Sequence, residues 1–270
     1  MYELSRFHLA LLMVITLGAC SAGKTVTSAK TSSINVLCYN IHVANPPSAA
    51  KTKKDIPAIA KVISDTKPDI VLLQEVDVHT TRSGKDIHQA EELAKLSNMS
   101  YFFAKGIDYD GGEYGIAILT HYPVIEKKRY PLTTIAGTNG EPRVLATALL
   151  QLPGNKRLLV ACTHLDAQRG DSNRLVQIKE VTAILKDQPY PVILAGDLNA
   201  PEGSAVIDIL DQYFTRTCKD CEFTIPVENP RRCIDFISFS PGKFEVEKHQ
   251  VIQEKYASDH LPVNAVLRFK

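Results

Sequence analysis

Side chains that can bind a metal ion or move a proton recur at the ends of apolar, strand-like segments of this 270-residue chain. The segments SINVLCYN, DIVLLQE, LLVACTH and VILAGDLN each end in such a side chain. An aspartate inside CIDFIS and the tripeptide Ser-Asp-His follow nearer the C-terminus. The residues concerned are Asn40, Glu75, His164, Asp197, Asn199, Asp235, Asp259 and His260. Taken singly, each is most often an ordinary turn or strand-end residue, so only the set is informative.

The set has the composition of a site that hydrolyses a phosphate ester. Glu75 and Asn40 supply oxygen ligands of the kind that Mg²⁺ prefers. Asp235 lies inside an apolar run, where burying an unpaired carboxylate is costly, so it needs a partner. We interpret His260 as that partner, a general base that Asp235 orients and whose charged form it stabilises. Such groups suit the attack of water on phosphorus, which depends on positioning and on neutralising the phosphate oxygens.

Hydrophobic periodicity indicates which elements carry these residues. Runs rich in Val, Ile and Leu predict strands over residues 34–39, 70–73, 101–104, 116–119, 144–150, 158–163, 192–195, 234–238 and 263–269. Helical spacing predicts helices over residues 56–64, 88–96, 173–185 and 204–210. Helices alternate with strands early in the chain, and consecutive strands follow later. This mixture predicts an α/β fold in which helices pack outside the sheets.

In this order the motifs resemble those of the endonuclease/exonuclease/phosphatase superfamily. The resemblance is carried by CYNIH, LLQEV, THLD, GDLNA, IDFI and SDHLPV, and it extends from about residue 34 to residue 269. The segments QEVDVHTTRSG, GGEYGIAILT and EPR resemble an exported bacterial branch. The resemblance implies a four-layered α/β/β/α sandwich, with two packed mixed sheets and outer helices, as in deoxyribonuclease-I-like proteins. It also implies that residues 34–270 form one catalytic domain.

The resemblance assigns the metal ligands and the acid–base pair. It implies that Glu75 is the principal ligand of a divalent cation, Mg²⁺ or Mn²⁺. Asn40 would lie close to the cation, and Asp259 would be a further ligand. His260 and Asp235 would form the catalytic pair that polarises water or stabilises the transition state.

The resemblance also implies which residues hold the substrate. Asp197 and Asn199 would position the attacking water and the phosphate oxygens. His164 would contact the phosphate or assist the leaving group. Arg143 is predicted to clamp the phosphate, because a guanidinium matches phosphate oxygens bidentately, and an ordinary surface arginine is the alternative.

The first segment has the pattern of an export signal. Residues 9–19 form an apolar run that is too short to span a bilayer but suits a signal-peptide core. The tetrapeptide LGAC, ending at Cys20, resembles a bacterial lipobox. It implies a lipoprotein signal peptide over residues 1–19 and acylation of Cys20. Ser21, rather than Asp, follows the cysteine, and by resemblance to enterobacterial sorting this favours an outer-membrane location in the cell envelope. A plain signal peptide with a chance cysteine is the alternative. Residues 20–33 have the composition of a tether.

Composition and net charge indicate which classes of partner the chain is expected to bind. The chain is 44% apolar, and its 31 Lys and Arg against 30 Asp and Glu give a formal charge of +1, so no basic field indicates nucleic-acid binding. Together with the resemblance and the predicted envelope location, this charge balance favours a phosphoesterase that acts on a small molecule, a lipid headgroup or a sugar phosphate. We expect it to be a monomer anchored to a membrane by its lipid. A secreted non-specific nuclease acting on extracellular DNA or RNA is the alternative. A non-catalytic binding module is disfavoured, because such proteins lose site residues and this set is complete.

Three clustered cysteines, Cys218, Cys221 and Cys233, leave their chemistry open. In an oxidising compartment a disulfide among them is favoured, and free thiols or a zinc site are the alternatives. Cys38 and Cys162 lie inside apolar runs and are predicted to be buried.

Overall fold

The computed structural model describes residues 1–2 and 33–270. The signal peptide expected over residues 1–19 and the tether expected over residues 20–33 lie outside the described residues, apart from residues 1, 2 and 33. The lipidation site predicted at Cys20 also lies outside them. Ser33 already belongs to the first strand. Among the described residues, no helix is both long and apolar enough to cross a membrane.

The described chain alternates strands and helices along its first half and ends in strands. In chain order the elements are β1 (Ser33–Asn40), α1 (Ile56–Thr66), β2 (Ile70–Val78), α2 (Gln89–Ser97), β3 (Ser100–Tyr109), β4 (Gly112–Thr120), β5 (Val124–Leu132), β6 (Arg143–Leu152), β7 (Lys156–His164), α3 (Ser172–Leu185), β8 (Val192–Asp197), α4 (Ala205–Asp211), β9 (Thr215–Arg216), β10 (Asp235–Phe239), β11 (Phe244–Val251) and β12 (Val263–Phe269). One six-stranded sheet has the order β11-β12-β1-β2-β4-β3, and the other has the order β5-β6-β7-β8-β10-β9.

Each sheet contains one parallel pair of strands at its centre, and the two pairs are built alike. Strand β1 runs parallel to β2, and the connection between them contains α1. Strand β7 runs parallel to β8, and the connection between them contains α3. The remaining ladders are antiparallel, so both sheets are mixed. The carboxyl ends of these parallel strands carry Asn40, His164 and Asp197, which lie at the ends of β1, β7 and β8.

Burial divides the molecule into four layers. The largest apolar cluster lies between the sheets and contains Val36 and Leu72 from one sheet and Val160 and Ile193 from the other. A second cluster joins α1 and α2 to the outer face of the first sheet. A third joins α3 and α4 to the outer face of the second sheet. The α/β/β/α sandwich predicted from the sequence is therefore confirmed.

The helices begin where the sequence offers a cap. The side chain of Asp55 accepts from the backbone N–H of Ala58 at the start of α1, and Pro57 occupies the first turn. The side chain of Ser204 accepts from the N–H of Ile207 at the start of α4. Both satisfy a backbone donor that the first turn of a helix leaves without an intrahelical partner.

All the strands and helices predicted from the sequence are present, and three strands were missed. The missed strands are β5, β9 and β11, each at an edge of its sheet. Strand β5 has the sequence VIEKKRYPL and is largely exposed, so it lacks the apolar pattern that identifies a buried strand. Charged residues on an edge strand also disfavour pairing with another chain.

The cysteine cluster contains one disulfide. Cys218 is bonded to Cys221, and Cys233 is a buried free thiol, as are Cys38 and Cys162. The disulfide favoured from the sequence is thus present.

Candidate active site

Strand pairing alone brings three of the predicted catalytic residues together. Asp197, the last residue of β8, lies opposite His164 on β7 and opposite Asp235 on β10. His164 and Asp197 end their strands, and Asp235 begins β10, so their side chains meet at one rim of the second sheet. The three residues are at most 4% exposed. The register of the sheet thus fixes the floor of the site.

His260 lies between two carboxylates. Its Nδ1 is 2.9 Å from Oδ2 of Asp235, and its Nε2 is 3.7 Å from Oδ2 of Asp197. The imidazole is almost completely buried. The partner that the sequence required for the buried Asp235 is therefore His260, as predicted.

Burial and neighbouring charges act in opposite directions on the pKa of His260. Burial disfavours a charged imidazole, but the carboxylates of Asp235, Asp197 and Asp259 outweigh it and raise the pKa of His260. Burial and the nearby charge of Asp235 raise the pKa of Asp197, whereas His260, the N–H of Asn199 and the side chain of Asn40 oppose this. The carboxylates therefore favour the imidazolium form of His260, which stabilises negative charge, rather than the general base predicted from the sequence. Asp197 is a stronger base than an ordinary aspartate.

Asn40 joins this group to Glu75. Its Nδ2 donates to Oδ2 of Asp197 at 3.1 Å and to Oε1 of Glu75 at 3.2 Å. Its Oδ1 accepts from the backbone N–H of His42 at 3.1 Å, which leaves the amide in one orientation. The two residues predicted to bind metal from β1 and β2 are therefore in contact.

A bulge in β2 turns Glu75 toward the site. The pairing of β2 with β4 shifts register between Leu73 and Val76, and Glu75 has a φ of 56°. The left-handed conformation costs an L-residue about 1–2 kcal/mol and is concentrated at functional sites. Gln74 is fully buried and donates to Sγ of Cys162 at 3.3 Å in the layer between the sheets. The bulge thus lets Gln74 enter the core while the carboxylate of Glu75 reaches Asn40.

Both ring nitrogens of His164 face hydrogen-bond donors. Nη1 of Arg143 lies 3.1 Å from Nδ1, and the amide nitrogen of Asn199 lies 3.0 Å from Nε2. Nε2 also lies 3.4 Å from Oδ2 of Asp197. Burial and the charges of Arg143 and His260 lower the pKa of His164 well below its ordinary value. His164 is thus a neutral imidazole held between Arg143, Asn199 and Asp197.

Asn199 and Arg143 complete the set around His164. Asn199 has a φ of 48°, and its amide nitrogen lies 3.0 Å from Nε2 of His164 and donates to the backbone oxygen of Leu165 at 3.0 Å. Nη1 of Arg143 also lies 3.0 Å from Oε1 of Glu141. Arg143 is 8% exposed, so it is not the ordinary surface arginine that the sequence left open.

Asp259 lies beside the site, connected to it by a contact of its own and by a hydrogen bond of the preceding residue. Its carboxylate lies 3.8 Å from Nδ1 of His42. The hydroxyl of the preceding Ser258 donates to the backbone oxygen of Asn40 at 2.7 Å. Of the three predicted metal ligands, hydrogen bonding therefore joins Asn40 and Glu75, and Asp259 flanks them from the segment before β12.

The donor groups suit a divalent cation. Ligand atoms of Asp197, Asp235 and His260 all lie within 4.8 Å of one another, so this buried group could hold a metal. A histidine must be deprotonated to bind a metal, however, and the surrounding carboxylates favour the protonated form of His260. The half-buried carboxylate of Glu75, with no basic partner among the described residues, fits the cation better. Oxygen donors of this kind favour Mg²⁺ or Mn²⁺.

Sequence reasoning missed one residue that touches the catalytic pair. The hydroxyl of Thr224 donates to Oδ2 of Asp235 at 2.5 Å. Thr224 lies in the loop between β9 and β10, outside every motif that identified the other residues. The burial of Asp235 predicts that its carboxylate needs further donors, but it does not predict which distant residue supplies one.

The segment QEVDVHTTRSG, which resembles the exported branch, and the residues that follow it make contacts that stabilise their own loop and the start of α2. Asp77 is completely buried and accepts from Nε and Nη2 of Arg82, both at 2.8 Å. The hydroxyls of Thr80 and Ser83 donate to the same carboxylate. The ring of His88 accepts from the N–H of Glu91 and caps α2.

The sequence matches a known protein family, and the fold is similar to that of known structures. A family model described as the Endonuclease/Exonuclease/phosphatase family matches residues 33–260. No curated protein sequence matches the chain.

Solved structures share the fold at low sequence identity. An endonuclease/exonuclease/phosphatase from Beutenbergia cavernae has a TM-score of 0.73 and 24% identity, covering 88% of this chain and 72% of its own. A mannosyl-6-phosphatase from Bacteroides thetaiotaomicron has a TM-score of 0.71 and 20% identity, covering 87% of this chain and 100% of its own. The catalytic domain of human Nocturnin with bound sulfate has a TM-score of 0.69 and 21% identity, covering 90% of this chain and 96% of its own.

Proposed function

The chain belongs to the endonuclease/exonuclease/phosphatase family, and on this premise we propose that it is a divalent-metal-dependent phosphoesterase hydrolysing a phosphate mono- or diester. Members of this family are hydrolases acting on phosphate esters. The observation that carries the proposal is the imidazole of His260 held between Asp235 and Asp197, with Asn40 linking Asp197 to Glu75. A chain with the fold alone would not need two buried carboxylates around one histidine.

The residues divide the reaction between them. Asp197, whose basicity is increased by burial, orients the attacking water and accepts its proton. His260, held as an imidazolium by Asp235, stabilises the negative charge that develops on the phosphate oxygens. His164 and the amide of Asn199 lie together beside Asp197 and contact a phosphate oxygen.

Family enzymes are generally dependent on a divalent metal, and Glu75 with Asn40 would hold the ion here, with Asp259 as a further ligand. When bound, the ion neutralises phosphate oxygens and lowers the pKa of water that it holds. We propose Mg²⁺ or Mn²⁺ because the ligands are oxygens.

Arg143 supplies the clamp on the phosphate. Its Nε is buried and has no hydrogen-bond partner among the described residues, and a small pocket beside it is lined by Tyr114, Ile116 and His164. We expect Arg143→Lys to raise KM for a phosphate ester about 10-fold, because an ammonium cannot reproduce the bidentate geometry. Steady-state kinetics measure the change, with Arg157→Lys on the exposed surface as the control. An unchanged KM for Arg143→Lys would contradict the assignment of Arg143 as the phosphate clamp.

The substrate class proposed is a small phosphate ester, such as a lipid headgroup or a sugar phosphate. The near-neutral charge of the chain supports this class over nucleic acid. The fold shared with a mannosyl-6-phosphatase agrees with a sugar phosphate.

The test is hydrolysis by the purified chain with Mg²⁺ or Mn²⁺, measured on a panel of small mono- and diesters and on supercoiled plasmid. His260→Asn, which lacks the imidazolium, is the control. Release from a small ester with intact plasmid supports the proposal. Plasmid nicking that is lost in the control would instead identify the nuclease acting on extracellular DNA or RNA. Hydrolysis of nothing in the panel would contradict both.

We also propose that the protein is a lipoprotein of the bacterial cell envelope, acylated at Cys20 and tethered to the outer membrane by residues 20–33. The proposal rests on the LGAC tetrapeptide after an apolar run. Metabolic labelling with palmitate should mark the wild-type protein and not Cys20→Ser. Labelling of both would place the lipid elsewhere, and labelling of neither would leave a plain signal peptide.

A further inference from the structure

The catalytic pair has a third member that no motif identified. We infer that Thr224 is a positioning residue, whose hydroxyl holds the carboxylate of Asp235 in the orientation that His260 requires. The inference rests on the proposed hydrolysis for its kinetic consequence, but the contacts that support it are independent of any substrate.

Among the described residues, Asp235 is the one acceptor to which the Thr224 hydroxyl is bonded. The backbone N–H of Ile234 points at the same oxygen, at 3.3 Å, and a donor cannot receive the hydroxyl hydrogen. The hydrogen is therefore directed to Oδ2 of Asp235, 2.5 Å away. Because Ile234 immediately precedes Asp235, one hydroxyl is bonded to both the backbone and the side chain of this short segment.

Asp235 depends heavily on that bond. Its Oδ2 accepts from both Thr224 and His260, whereas its Oδ1 is buried with no hydrogen-bond partner among the described residues. A buried carboxylate with one donor fewer is poorly stabilised and free to rotate about its side-chain torsions. Either change would weaken its hold on the imidazole.

The backbone of Thr224 connects the segments that carry the pair. Its N–H donates to the oxygen of Arg232 at 2.8 Å, beside the start of β10. Its carbonyl accepts from the N–H of Leu261 at 2.8 Å, next to His260. Thr224 is completely buried, so its position is fixed by these neighbours rather than by solvent. The residue therefore sets the distance between Asp235 and His260 from both sides.

The experiment compares Thr224→Val, which removes the hydroxyl and keeps the shape, with Thr224→Ser, which keeps the hydroxyl. We expect Thr224→Val to lower kcat about 10- to 100-fold, the range for loss of a hydrogen bond to a charged group, with little change in KM. Thr224→Ser should recover most of kcat. Thr217→Val is the control, because its buried hydroxyl bonds the backbone oxygen of Ile237 instead of Asp235.

A spectroscopic measurement separates this inference from the proposed function. The proton on Nδ1 of His260 should give a downfield NMR resonance in the wild type, in Thr224→Ser and in the control Thr217→Val, but this resonance should shift or broaden in Thr224→Val. If the wild type hydrolyses no ester, the proposed function fails, and this resonance still decides the role of Thr224. Unchanged kcat and an unchanged resonance in Thr224→Val would overturn the inference. Equal losses in the Val and Ser variants would also overturn it, because shape rather than the hydroxyl would then matter. If Thr224→Val does not fold, Thr224→Ala is compared with Thr224→Ser by the same criteria.

Discussion

Replacing His260 with asparagine should lower kcat by about 10²- to 10⁴-fold, the range in which a positioned acid–base group contributes. Asparagine is chosen because its amide can occupy the place of Nδ1 and keep a hydrogen bond to Asp235. It removes Nε2 and the positive charge that lies 3.7 Å from Asp197. KM should change little, because the imidazolium acts on charge that develops after substrate has bound.

The matched control for this variant is His249→Asn. His249 is a partly buried histidine of β11 whose Nδ1 bonds the hydroxyl of Thr217 at 2.8 Å, and it makes no contact with the catalytic pair among its described hydrogen bonds. Steady-state kinetics and thermal unfolding of both variants separate lost chemistry from lost folding. If His260→Asn kept kcat within about threefold while folded, His260 would have no part in the chemical step.

The pair can also be tested as a unit. Asp235→Asn alone removes the charge that holds His260 as an imidazolium, so it should lower kcat as well. The double variant should be no slower than His260→Asn, because residues that act together are strongly non-additive. Additive losses would mean that Asp235 acts on the substrate independently of His260.

The elements that position this site could be predicted because they are buried on both faces. Strands β1, β7 and β8 each contain a buried apolar run and end in a polar residue, so both the strand and its last residue stand out in the sequence. Strand β2 stands out by the apolar run Ile70–Leu73 at its start. Strands β5 and β11 could not be predicted in the same way. Each lies at a sheet edge with charged residues facing solvent, and its pairing is set by the neighbouring strand rather than by its own pattern.

Among the site residues too, those marked by their own sequence segment could be predicted, and those that depend on tertiary contacts could not. The sequence predicts a partner for Asp235, because burying an unpaired carboxylate inside an apolar run is costly. The bulge that turns Glu75 could not be predicted, since it depends on how β2 pairs with β4. Thr224 was missed for a similar reason, because its contact with Asp235 depends on the path of a loop with no regular periodicity. Local sequence thus indicates which residues are costly to bury, and tertiary structure decides what satisfies them.

Replacing Glu75 with glutamine should weaken binding of Mg²⁺ and Mn²⁺ by at least about 10- to 100-fold, the loss caused even by removing an outer partner of a ligand. Glutamine keeps the size of the side chain and an oxygen that can accept from Nδ2 of Asn40, so the local fold should persist. It removes the negative charge, which is the main attraction for a hard cation.

Binding of Mn²⁺ to the protein without substrate, followed by calorimetry or electron paramagnetic resonance, measures this directly. The dependence of activity on metal concentration measures it again, and saturating metal should restore part of the rate. Glu92→Gln is the control, because Glu92 is paired with Lys95 on the surface of α2. Unchanged Mn²⁺ affinity in Glu75→Gln would contradict the assignment of Glu75 as the principal ligand.

Asp235→Asn distinguishes the two places where a cation could sit. If the ion is held by Glu75 and Asn40, this variant should retain most of its Mn²⁺ affinity, because Asp235 is engaged by His260 and Thr224. If the ion is held by Asp197, Asp235 and His260, the affinity should collapse in Asp235→Asn and persist in Glu75→Gln. The first outcome agrees with the charge state of His260, since an imidazolium between two carboxylates already neutralises the negative charge that a cation there would need.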